Sequence, residues 1–338
     1  MFTTLIIDKF TAFDHIEMEF VPGINVFVGA NATGKTHLLK LMYALQFANQ
    51  DKKDLPTIEQ KMVRVFRPLD GQISRLSRRK RGVSGHNRAE LELSWGNESL
   101  KIGFGNKAKE IDVKGRWGQV STPVYIPVKE MLSMAPGFRS IYSKYDTQFE
   151  EVYADIIDLA YVPLLRGKPD EGRQALSDVI GRVVDGTVVS EGENFFLKDG
   201  AGELEITLVA EGMRKLALLS LLIRNGSLQG GTTLFWDEPE ANLNPSMMQH
   251  VARILLTLGK LGVQIFIATH SYSFLKELEL QREQLQAVRY FSLFTRQDRE
   301  GVMAAPADNY AAIEPNLIAD EYTRIYQLEL NKSFGETK

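Results

Sequence analysis

No cysteine occurs among the 338 residues, which excludes a disulfide framework, a thiolate zinc site, an iron–sulfur cluster and a cysteine nucleophile. Long apolar runs are also missing. The stretch 216–223, LALLSLLI, is among the longest and falls well short of the roughly 20 residues that span a bilayer, so no membrane anchor is expected. The first ten residues carry Asp8 inside their apolar stretch and lack a cleavage-like site, unlike a secretory leader. A cytoplasmic protein is the expectation. There is no internal repeat or low-complexity tract, and no heptad pattern persists for the roughly three or four repeats that a coiled coil needs.

What is present is a globular composition, 44% hydrophobic and 25% charged with 27 Gly and 12 Pro, ample for a sizeable core. The net charge of −3 hides an asymmetry. Residues 1–120 hold 19 Lys and Arg against 13 Asp and Glu, whereas the remainder holds 21 against 30. A local anionic partner is allowed, not required.

β-branched and aromatic runs predict strands over 3–7, 16–20 and 24–28, with Pro22-Gly23 as the last turn. After Thr36, Leu38, Leu41, Met42 and Leu45 stand at i, i+3, i+4 and i+7, the spacing of one helix face. A basic stretch from Arg75 then precedes three alternating segments, AELELSW, SLKIGF and KEIDVKG, which read as antiparallel hairpins. A short strand is expected at 124–127, helices across 142–184, strands at 194–197 and 204–209, and a helix over 211–224. Segments 233–236 and 263–268 are apolar enough to be parallel strands buried on both faces.

Gly29-Ala30-Asn31-Ala32-Thr33-Gly34-Lys35-Thr36 matches G-x-x-x-x-G-K-[ST] between a predicted strand and a predicted helix. Such a loop turns backbone N–H groups around phosphate at a helix N-terminus. Asn31, Ala32, Thr33 and Gly34 would cradle the anion. Lys35 would sit on the β and γ phosphates, with the Thr36 hydroxyl as a Mg²⁺ ligand. Some 200 residues on, the strand LFW ends in Asp237 and Glu238. Alone, two such acids more often mark a surface turn. Downstream of a phosphate loop, Asp237 suits the metal and Glu238 the polarisation of an attacking water. His270 ends the next apolar strand, VQIFIATH, and suits a γ-phosphate sensor.

Taken together, FTAFDHIEMEFVPGINVFVGANATGKT, LFWDEPEANLNP and FIATHS resemble the ABC-class ATPases of the RecF, SMC and OLD group. Specifically, the sequence looks like the compact AAA-family ATPases that often accompany bacterial anti-phage or toxin modules. The resemblance implies an α/β P-loop NTPase fold of the ABC-ATPase head type, in one unit over 1–338. Lobe I would cover 1–132, a short helical insertion 133–190 and lobe II 191–338, without a long coiled coil. It further implies ATP and Mg²⁺ as ligands, ATP hydrolysis, and head-to-head dimers that communicate through the loop containing Asn244. The family's signature segment falls at 209–215, where Gly212 is retained and Ala210 replaces the expected serine. Arg214 or Lys215 is expected either to supply the missing charge in trans or simply to solvate the helix surface. The loop after VYIPV offers Lys129 and Glu130 but no glutamine.

The leading functional expectation is a nucleotide-controlled switch for a partner effector encoded nearby, in anti-phage defence. The alternative is a RecF- or SMC-like DNA-binding ATPase in repair or maintenance, using Arg75, Arg78, Arg79, Lys80, Arg81 and Arg88. That cluster lacks interleaved aromatics, so phosphate attraction rather than base stacking would operate. Only 68 residues follow His270, too few for the nuclease domain of OLD proteins.

Overall fold

The computed structural model describes residues 1–49, 55–78, 87–118, 120–145, 148–168, 170–296 and 300–334. The chain opens with β1 (Phe2–Phe10), β2 (Phe13–Glu19) and β3 (Ile24–Gly29), followed by α1 (Lys35–Ala48) and α2 (Ile58–Phe66). Then come β4 (Arg88–Trp95), β5 (Glu98–Gly105), β6 (Asp112–Gly115) and β7 (Val124–Ile126). The middle holds α3 (Ala135–Lys144), α4 (Glu151–Ala160), α5 (Glu171–Val184), β8 (Thr187–Glu191), β9 (Asn194–Lys198) and β10 (Glu203–Glu205). It continues through α6 (Glu211–Arg224), β11 (Thr233–Asp237), α7 (Met248–Lys260), β12 (Gln264–Thr269) and α8 (Tyr272–Gln281). The chain finishes with β13 (Val288–Thr295), β14 (Val302–Ala307) and α9 (Leu317–Ser333).

Among the described residues, eleven strands form one sheet in the order β6-β5-β4-β1-β2-β14-β13-β3-β12-β11-β7. One half is parallel: β7, β11, β12, β3 and β13. The other is a meander in which β2, β1, β4, β5 and β6 pair antiparallel. The halves meet where β14 lies parallel to β2, at the register pair Val302–Phe13.

Every residue of β3, β11 and β12 is buried, as expected of strands covered on both sides. Alternation sorts their side chains. Val26, Ile265, Ile267, Leu234 and Trp236 face a core built with α6, α7 and α8. Phe27, Phe235 and Phe266 face the other core, with α1 and the meander. There Phe235 and Phe266 stack at 5.3 Å, and Phe20 meets Phe266 edge-on at 5.0 Å. The hydrophobic spacing read for α1 is correct, since Leu38, Leu41, Met42 and Leu45 are all fully buried.

Three local expectations change. The helices end at Val184 and β8 occupies Thr187–Glu191, beginning inside the span 133–190 expected to be helical and running past its end. The strand read over 204–209 stops at Glu205 and tightens into a 3₁₀ turn, Ile206–Leu208. In the C-terminal segment 314–330, Ile318, Tyr322, Ile325, Tyr326 and Leu328 stand near helical spacing and read as a helix packed back on the core. The helix forms, but it meets the core at its first turn, through Ile318. No residue of α9 is buried, and Tyr322 and Tyr326 are 53% and 61% exposed. Helical spacing identifies an apolar face without saying what covers it. Tyr322 does stack on Tyr272 of α8, at 4.5 Å. No helix among the described residues is long and apolar enough to cross a membrane.

Candidate functional site

Because β3, β12 and β11 are neighbours, their carboxyl ends bring the loop 29–36, the Asp237-Glu238 pair and Thr269-His270 to one edge of the sheet. Ligands of open α/β sheets bind at that edge. The loop is shaped by left-handed backbone at Ala32 (φ 66°) and Gly34 (φ 82°). A side chain at Gly34 is excluded, since a Cβ there would lie 2.6 Å from the Phe13 ring. Asn31 and Ala32 are exposed, while Thr33 is buried and donates to the Ala30 carbonyl at 2.8 Å. The first turn of α1 contains neither an acid nor a side-chain cap, which leaves its N–H groups available to an anion.

Lys35 is 7% exposed, and its ammonium donates to the Gly29 and Ala30 carbonyls at 2.8 and 2.9 Å. Burial lowers its pKa, and the fields of Glu238, Asp237 and Glu240 oppose that shift. The following Thr36 hydroxyl donates to Asp237 Oδ1 at 3.2 Å, joining residues 201 apart in sequence. Tyr125 donates to the other oxygen of Asp237 at 3.4 Å. Burial pushes the Asp237 pKa up to about 6, with Glu238 adding and Thr36, Lys40 and Tyr125 opposing. Among the described residues no group of three or more His, Cys, Asp or Glu could hold a metal ion. A hydroxyl and one carboxylate nevertheless fit Mg²⁺ that arrives with phosphate and water, its usual mode.

Glu238 adopts φ 48°, in the left-handed region that a non-glycine residue enters at a cost of order 1 kcal/mol. Its N–H is held by the Ala268 carbonyl at 2.9 Å. His270 is half exposed, with Nδ1 3.2 Å from Glu238 Oε1 and 3.8 Å from Glu240 Oε1. Glu240 accepts from the Thr269 hydroxyl at 2.6 Å and from the His270 N–H at 3.1 Å. The predicted residues Lys35, Thr36, Asp237, Glu238 and His270 therefore share one edge. Tyr125, Lys40 and the bracing role of Glu240 were not foreseen. Each acts through a tertiary contact and has no pattern of its own in the sequence.

The segment before α6 differs from expectation. Lys215 is 1% exposed and donates to the Ala241 carbonyl at 3.2 Å, so it is neither a trans cation nor a solvating one. Arg214 Nε lies 3.2 Å from Glu130 Oε2, a carboxylate that also accepts from the Ser133 hydroxyl. Lys215 turns inward beneath the loop 239–244, whereas Arg214 turns towards the segment after β7 that holds Glu130. Gly212 permits the approach of α6 to that loop: a Cβ would fall 2.3 Å from the Asn242 carbonyl oxygen. Ala210 precedes the helix with no side-chain cap. Asn244 is exposed and accepts from the Ser246 N–H at 3.0 Å, while Lys129 is exposed.

The described members of the basic cluster are engaged in local structure. Arg75 lies 3.7 Å from Asp70, Arg78 donates to the Ala12 carbonyl at 2.7 Å, and Arg88 pairs with Asp112 and Glu90. Arg79, Lys80 and Arg81 lie outside the described residues.

Over residues 24–276 the chain matches the family described as AAA domain, putative AbiEii toxin, Type IV TA system. It is 26% identical over 157 residues to the DNA replication and repair protein RecF of Streptococcus uberis, covering 46% of this chain and 40% of that one. With RecF of Limosilactobacillus fermentum it shares 33% over 94 residues, 27% of this chain and 22% of the relative. The chain thus spans less than half the length of these curated relatives. Among solved structures it resembles an SMC head bound to the C-winged helix domain of ScpA. That match has a TM-score of 0.62 and 12% identity, and covers 92% of this chain and 98% of that one. An SMC head with an extended coiled coil, bound to the C-terminal domain of ScpA and derived from Pyrococcus furiosus, gives a TM-score of 0.57 at 12% identity, covering 96% and 98%. At such identity the likeness is one of fold. The chain has the α/β fold of an ABC-ATPase head, without a long coiled coil among the described residues.

Proposed function

The chain belongs to the family described as AAA domain, putative AbiEii toxin, Type IV TA system, and on that premise we propose that it is a Mg²⁺-dependent ATPase whose nucleotide state drives a switch. One observation carries the reading: the Thr36–Asp237 contact, which closes the phosphate loop onto the acidic strand beside Glu238 and His270.

In this reading the loop amides of Asn31 to Gly34 and the Lys35 ammonium hold the β and γ phosphates. Lys35 must exchange its two loop carbonyls for phosphate oxygens, and phosphate offsets what burial takes from its charge. Thr36 and Asp237 would hold Mg²⁺, which when bound would supply neutralisation of the phosphate charge. Glu238 accepts a hydrogen bond from the attacking water and orients it in line. His270 leaves Glu238 to donate to the γ-phosphate, and Glu240 keeps its backbone in place meanwhile.

Two heads would close on ATP, with Gly212 at the start of α6 and the loop through Asn244 facing the partner's nucleotide. Hydrolysis would reopen them, and an effector protein encoded nearby would read the change in an anti-phage setting. The domain reading goes with it: one ATPase unit over 1–338, with lobe I at 1–132, helices from 133 and lobe II from 191. The test is the mass of Glu238→Gln protein with and without Mg-ATP. A doubled mass with ATP supports the switch, and an unchanged monomer counts against it.

A second reading, a DNA-binding ATPase of repair, is favoured by the name of the curated relatives, DNA replication and repair protein RecF. Duplex DNA binding that strengthens with ATP and falls steeply with salt supports it. A stable complex with a neighbouring gene product, without DNA binding, supports the switch.

A further inference from the structure

Thr36, Lys40 and Tyr43 stand at i, i+4 and i+7 and so share one face of α1. Each reaches an acid. Thr36 meets Asp237, Lys40 Nζ lies 2.5 Å from Glu150 Oε1, and the Tyr43 hydroxyl donates to Asp155 Oδ2 at 2.7 Å. Lys61 of α2 is fully buried and lies 2.6 Å from the same Asp155 oxygen and 3.0 Å from Glu151. Its ammonium also sits 3.5 Å from the centre of the Phe47 ring. The start of α4 is thereby bolted to the helix that follows the phosphate loop.

Within this ladder the Lys40–Glu150 pair is the rung next to the metal donors. The two side chains are 12% and 27% exposed, so water screens them only partly. The Lys40 charge acts on Asp237. Lys40 stands one helical turn beyond Thr36, the residue that meets Asp237, so the pair lies on the face of α1 that carries the metal donors.

We propose that Lys40 and Glu150 are positioning residues that set the Mg²⁺ affinity of the nucleotide site, Glu150 holding the Lys40 ammonium away from Asp237. The proposal rests on the ATPase reading. Its content is a difference in sign. Without the Lys40 charge, Glu150 is a free carboxylate beside an arriving dication, and Mg²⁺ binds more tightly. Without the Glu150 charge, the ammonium is released towards Asp237, and Mg²⁺ binds more weakly. A purely structural rung would alter both variants in the same direction.

The experiment titrates Mg²⁺ into the full chain with a non-hydrolysable ATP analogue present, followed by calorimetry, alongside a thermal melt of each variant. Lys40→Met should lower the half-saturating Mg²⁺ concentration about fivefold and Glu150→Gln raise it about fivefold, the scale of one partly screened charge at short range. The double variant should return close to wild type, and Lys40→Arg should stay there. Shifts of the same sign, or no shift in either single variant, would overturn the proposal while leaving the ATPase reading intact. If a variant does not fold, Lys40→Gln and Glu150→Ala carry the same opposed expectations. Failure of the wild type to bind the analogue at any Mg²⁺ concentration would remove both readings together.

Discussion

The edge formed by β3, β11 and β12 and the start of α6 make opposite use of charge. At the sheet edge, Lys35, Thr36, Asp237, Glu238 and His270 are joined to one another or to nearby backbone, and most are buried or partly buried. At the α6 terminus the helix begins without a side-chain cap, and its two cations, Arg214 and Lys215, are turned back into their own chain. The first region is assembled within one molecule. In the second, Gly212 is buried under the chain's own loop 239–244 and the exposed charge left in the first turn is that of Glu211.

The sharpest way to break this contrast is Glu238→Gln. Loss of the water-orienting carboxylate should lower ATP turnover by roughly a hundredfold or more while leaving nucleotide binding within a few fold. Steady-state turnover and calorimetry on the same sample check it. Equal turnover would mean the sheet edge is not the reacting edge. At the other region, Gly212→Val should destabilise by about 3 kcal/mol, because its side chain would collide with the Asn242 carbonyl, which is backbone. A denaturant midpoint near wild type would show that the loop 239–244 can yield.

Asp237→Asn separates stability from function. Because burial raises the folded pKa of Asp237 to about 6, its ionised form is disfavoured on folding, so it costs stability above that pH and ceases to cost it as pH falls towards the unfolded value. The variant should therefore be more stable by on the order of 2 kcal/mol at pH 7.5, with the gain vanishing near pH 4. It should also lose Mg-ATP affinity. Wild-type Mg²⁺ affinity should fall as pH drops through 6, where a proton competes for the same oxygen. Paired denaturation curves across pH read the first effect and calorimetry the second. The smallest expected change is Ala210→Ser, which supplies a cap at the bare start of α6 and should stabilise by about 1 kcal/mol.

The phosphate loop, the acidic strand and His270 were legible because each couples a local pattern to a strand end, and parallel pairing then brings the ends together. Apolar runs such as 263–268 marked the buried strands for the same reason. What the sequence did not disclose are contacts made across the fold. Nothing local says that Tyr125 reaches Asp237, that Glu240 braces Thr269, or that Lys215 lies beneath Ala241. Lys215 was misread because a cation on a helix usually faces water, and here an apolar helix is enclosed by the loop above it. The helix α9 was misread in the opposite sense, its tyrosines resembling core while remaining more than half exposed.

Phe13 does two jobs at once. It pairs with Val302 where the meander is stitched to the parallel strands, and its ring fills the space under Gly34. The two halves of the sheet are thus sewn together against the backbone that would cradle an anion. Slippage along that seam would reach the mouth of the loop through one aromatic ring, and an occupied loop would tighten the same stitch.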